Sequence, residues 1–68
     1  MRDKIINALA DHFVAHMNKH KINVEIMLEN PMAIHDHTDL MSAIESELGH
    51  IAEYMDKLEA LETLVDGV

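Results

Sequence analysis

The sequence predicts an all-α fold: an antiparallel two-helix hairpin that pairs with a second copy as a homodimeric four-helix bundle. Three observations carry this expectation. Apolar residues recur at alternating steps of four and three in both halves of the chain, which is the period of packed helices. No stretch alternates with the period of two that a half-buried strand requires. A single strong break, "ENPMAIHDHTD", separates the halves.

The first helix is expected over about residues 3–29. Its stripe is Ile6, Ala10, Phe13, Met17, His20, Val24 and Met27. It ends near Leu28 or Glu29, because Asn30 precedes Pro31 and a residue before proline is pushed out of the α region. The turn spans about 30–37. Thr38 or Asp36 can cap the second helix by offering a side-chain oxygen to unpaired backbone N–H groups, and Asp39 sits where the helix dipole favours negative charge. Asn30, Pro31, His37, Thr38 and Asp39 are therefore the expected turn and capping residues.

The second helix is expected over about 38–65, with Gly67 as its stop signal. Its main seam reads Met41, Ile44, Leu48, Ile51, Met55, Leu58 and Val65, interrupted by Glu62. The short connection makes the helices antiparallel. A second row, Leu40, Glu47, Tyr54 and Leu61, runs beside the seam. One neighbouring helix cannot cover both rows, so Leu40, Tyr54 and Leu61 are expected to form the dimer face.

Length and composition narrow the function. A chain of 68 residues is a single domain. It buries only about 60% of its unfolded surface, and chains of this size lean on a disulfide, a metal or a partner chain. With no cysteine, disulfides and thiolate metal sites are excluded, and at 49% apolar residues the chain is no disordered tail. No apolar run approaches the ~20 residues of a membrane span. The opening "MRDKIINALADHF" lacks the features of a signal peptide, so a soluble, intracellular chain without membrane partners is expected.

The net charge of −8 is uneven. Arg2, Lys4, Lys19 and Lys21 balance Asp3, Asp11, Glu25 and Glu29 in the first helix. In the second, Lys57 alone stands against Asp39, Glu45, Glu47, Glu53, Asp56, Glu59, Glu62 and Asp66. Such an acidic face is either a solvated surface or a site for a basic partner. Nucleic acid is not an expected partner, because no basic face exists to release counterions from phosphates and Phe13 and Tyr54 are the only aromatic residues.

The segment "NPMAIHDHTDLMSAIESELGHIAEYMDKLEAL" resembles short helical-hairpin proteins of tailed phages, including cyanophages. In these a helix ends in Asn-Pro, an Ile follows three residues after the Pro, and His-x-Asp opens an acidic second helix. Asn30, Pro31, Ile34, His37 and Asp39 match. The family carries glycines around that Ile, where this chain has Ala33 and His35. The resemblance covers about half the chain. It implies a helical hairpin of phage origin. The expected role is binding a host or phage protein, in the infected host's cytoplasm or in the virion. The resemblance implies no enzymatic activity.

Several polar clusters compete for a role. His12, His16 and His20 follow one another at steps of four, and imidazoles at that spacing can chelate a metal. Each step also rotates by about 40°, so the three do not converge. His20 falls in the seam, with His12 and His16 on its solvated flank. Glu47 and His50 form Glu-x-x-His, which binds di-iron when both side chains enter a bundle that supplies further carboxylates. The alternative to an interaction protein is thus a metal-binding, ferritin-like dimer using His16, His20, Glu47 and His50. In "HDHTD", His35, Asp36, His37 and Asp39 could gather around a metal but more simply cap the helix. No catalytic triad, phosphate-binding glycine loop or paired buried carboxylate is visible. Neither catalysis nor a cofactor is expected. Gly49 is unusual in a helix interior.

His20 and Glu47 are the polar exceptions in two otherwise apolar rows. A turn near residues 33–34 places residues whose numbers add to about 67 at equal height, and these two meet that condition. A buried pair that fixes helix register is expected. Protonation of His20 beside an ionised Glu47 is expected to make the fold more stable near pH 6 than near pH 8.

Overall fold

A computed structural model describes residues 1–30 and 37–66, apart from the side chains of His37 and Thr38. Two helices form an all-α hairpin: α1 (Arg2–Glu29) and α2 (His37–Asp66). They are antiparallel, since His20 of α1 meets Glu47 of α2 while His16, one turn earlier, stacks on Tyr54 further along.

α1 begins without a side-chain cap; Asp3 supplies the negative charge of the first turn and the Ile5 N–H donates to the Met1 carbonyl at 3.1 Å. It ends where the pre-proline restriction acts. Asn30 leaves the α region, with φ −127° and ψ 62°, while its N–H still donates to the Ile26 carbonyl at 2.9 Å. Asp39 lies exposed in the first turn of α2. The turn residues Pro31, His35 and Asp36, and the capping side chains of His37 and Thr38, lie outside what is described.

The half-buried residues of α1 are Ile6, Ala10, Phe13, His16, Met17, Asn23, Val24 and Met27. On α2 they are Leu40, Ala43, Ile44, Glu47, Ile51, Tyr54, Leu58, Leu61 and Val65. This corrects the expected seam of α2. Met41, Leu48 and Met55, assigned to it from the sequence, are 71%, 52% and 52% exposed. Leu40, Tyr54 and Leu61, assigned to an outer dimer face, instead lie on the side turned to α1. The cause is rotational. Two adjacent rows of α2 are almost equally apolar, and bonding Glu47 to His20 turns α2 so that the Leu40–Leu61 row enters the hairpin. The Met41, Leu48, Met55 row then swings outward.

Among the described residues no hydrophobic side chain is buried, and the one buried residue is His20, at 8% exposure. The shape explains this. The molecule measures 48 × 18 × 12 Å with a radius of gyration of 15.5 Å, whereas a compact chain of this length has about 11 Å. Two helices touch along a line, and a line cannot enclose a side chain.

Gly49 faces away from α1. A Cβ built there meets no atom within 4 Å, and its φ is not positive. No close approach within the hairpin requires the glycine. Gly49→Ala is expected to raise stability by about 0.5–1 kcal/mol through reduced backbone entropy in the unfolded chain. Urea denaturation at fixed chain concentration measures it, and a loss of stability would mean that another chain packs on that face.

Candidate functional site

The polar cluster runs from His12 to Asn23 on α1 and from Glu47 to Lys57 on α2, on one flank of the seam. Its centre is a three-residue network. His20 Nδ1–H donates to Glu47 Oε2, and Asn23 Nδ2 donates to Glu47 Oε1 at 3.3 Å. Helical spacing builds it: Asn23 follows His20 by three residues, so both side chains leave α1 toward the same carboxylate. The side chains of His20 and Glu47 are 11% and 18% exposed. Each Glu47 oxygen has a donor, and among the described residues no buried side-chain N or O atom lacks a partner.

The bond sets the His20 tautomer, since Nδ1 must carry a proton to donate. It also acts on Glu47. The His20 hydrogen bond, with the Asn23 bond adding to it, holds the Glu47 carboxyl below its ordinary 4.5, against desolvation, which acts in the opposite direction. A shift of α2 by one turn would break this two-donor arrangement. The network therefore specifies helix register more than it adds stability, the best-attested use of a buried polar group in packed helices.

Aromatic packing extends the cluster on either side. His50 stacks on His20, with ring centroids 4.6 Å apart and 17° between planes. His16 stacks on Tyr54 at 4.7 Å and 15°, and His12 meets His16 edge-on at 4.4 Å. Lys57 Nζ lies 4.9 Å from the Tyr54 ring centre and 3.2 Å from Glu53, which also lies 3.8 Å from His50. Lys57 holds the Glu53 carboxyl below its ordinary value, first through the hydrogen bond. Tyr54 thus serves as a stacking platform inside the hairpin.

His16, His20, Glu47 and His50, the alternative metal set, are brought close but not into a ligating arrangement. Imidazole lone pairs lie in the ring plane, and the stacked planes of His20 and His50 cannot point at one ion. Both Glu47 oxygens are engaged. Among the described residues no three His, Asp or Glu side chains converge as a metal site. His35 and Asp36 of "HDHTD" lie outside the described residues. Asn23 was missed from the sequence; its signal was the three-residue step from His20. No family model matches the chain, and no curated protein or solved structure matches it.

Removing one member of the network exposes its worth. Glu47→Ala is expected to cost about 1–3 kcal/mol, because His20 and Asn23 stay half-enclosed without their acceptor. Replacing both His20 and Glu47 by Leu should cost clearly less than the two single substitutions together, since no orphaned group remains. Chemical denaturation of the four proteins completes the cycle, and strict additivity would contradict the pairing.

Titration follows with a definite sign. Desolvation, then the neighbouring His12, Lys19, His20 and Lys57, lower the His16 pKa from 6.5. The unfolded chain therefore takes up this proton before the folded one, and stability is lost as pH falls from 6.5 toward the folded value. His16 acts against the expected gain on going from pH 8 to pH 6. Glu47, with its folded value depressed, contributes stability present above 4.5 and lost as pH falls through the folded value. His16→Gln should shrink the stability loss between about pH 7 and about pH 5.5. Glu47→Gln should flatten only the more acidic part. An unchanged profile in His16→Gln would contradict the assignment.

Proposed function

We propose that the chain is a non-catalytic helical interaction module whose fold is completed by another polypeptide, first of all its own copy in a homodimeric four-helix bundle. The observation that carries this is the absence of any buried hydrophobic side chain among the described residues of the hairpin. A domain of this size without disulfides needs added burial to be stable, and pairing hairpins is how helical chains obtain it.

The acidic outer face of α2, with Glu45, Asp56, Glu59 and Asp66 all exposed, stays available in such a bundle. A protein with a basic surface is the partner this charge suits. Among the described residues no helix is long and apolar enough to cross a membrane. The tailed-phage resemblance of the turn motif supports a partner from host or phage, met in the infected cell's cytoplasm or in the virion.

Sedimentation equilibrium on the untagged chain at micromolar concentration tests the assembly. The expected mass is twice 7.7 kDa. A well-folded monomer would overturn the bundle and the reading built on it.

A further inference from the structure

The hairpin has two flanks of opposite character. One carries His12, His16, Asn23, His50, Tyr54 and Lys57, tied together by the stacks and hydrogen bonds of the polar cluster. In an antiparallel pair equivalent flanks of the two helices fall on one side. Met17 and Val24 of α1 therefore share the other flank with Ile44, Ile51 and Leu58 of α2, all half-buried. Leu48 and Met55 widen this apolar strip toward solvent.

Area argues that the strip is covered. The chain exposes 5309 Å², whereas a compact monomer of its mass exposes about 4,300 Å². The excess is about 1,000 Å², and a standard protein interface buries about 800 Å² per partner. Covering the opposite flank would instead desolvate Lys57, Glu53 and the histidines, at a cost that pairing only partly returns.

A second copy suits the strip, because a two-fold contact sets the same apolar patch against itself and leaves both histidine flanks in water.

We propose that a second copy of this chain seats its own Met17, Val24, Leu48, Ile51 and Met55 flank on the same flank of the first, the two related by a two-fold axis. The inference rests on the homodimer proposed above and adds its face.

Three measurements on the full chain test it. Leu48→Glu and Met55→Glu should each raise the dimer dissociation constant at least about tenfold. Ser46→Glu and Ala60→Glu, at exposed positions on the histidine flank, should change it by less than about threefold. Because the chain has no cysteine, Leu48→Cys and Ser46→Cys report burial even if a glutamate prevents folding. In the native dimer, alkylation at residue 48 should be at least about tenfold slower than at 46, each scaled to its rate in denaturant. Equal effects or equal alkylation on the two flanks would overturn this interface while leaving a dimer standing. A folded monomer would overturn the dimer itself.

Discussion

Two helices in contact enclose almost nothing. That constraint governs the whole molecule. A bundle of three or four helices surrounds a central volume, and side chains within it lose water on all sides. A hairpin has only a groove, and each apolar residue keeps one edge wet. Hence Phe13, Ile51 and Leu58 are half-buried, and among the described residues the one most removed from water is a histidine. Apolar burial in the isolated chain is thus spread thinly over a 48 Å length, which is poor at opposing the conformational entropy of 68 residues.

The constraint also explains why a polar network can occupy the middle of the seam. In a closed core, His20, Asn23 and Glu47 would carry a heavy desolvation cost. In a groove they sit at the boundary, where the carboxylate keeps partial hydration and still receives two hydrogen bonds. What they contribute is selection among registers. The apolar rows of α1 and α2 repeat every seven residues, so sliding by one heptad would restore most apolar contacts. It would not restore a donor pair for Glu47. The same network turns α2 about its axis and so determines which apolar row faces out.

Much of this was legible from the chain alone. The helices, the end of α1 at Glu29 and the meeting of His20 with Glu47 follow from period, punctuation and hairpin arithmetic, because each depends on local rules or on position along one dimension. Rotation about the helix axis was not legible. The Met41, Leu48, Met55 row and the Leu40, Tyr54, Leu61 row differ by about 100° and hardly at all in hydrophobicity. The choice between them is made by the partner of Glu47. The ring stacks were hidden for a related reason: they form across the two helices, and sequence spacing on one helix says nothing of the rings on the other. Asn23 could have been found, since it shares a helix face with His20.

The central claim is that the hairpin depends on a covering chain for its stability. Dilution tests it most directly. Helix content is followed by far-ultraviolet circular dichroism as chain concentration is lowered through the dissociation range, together with the thermal midpoint at each concentration. If folding and association are coupled, the midpoint falls steadily with dilution and helicity is lost as the chains separate. A midpoint and helicity independent of concentration, in a chain that sediments as a monomer, would contradict the account.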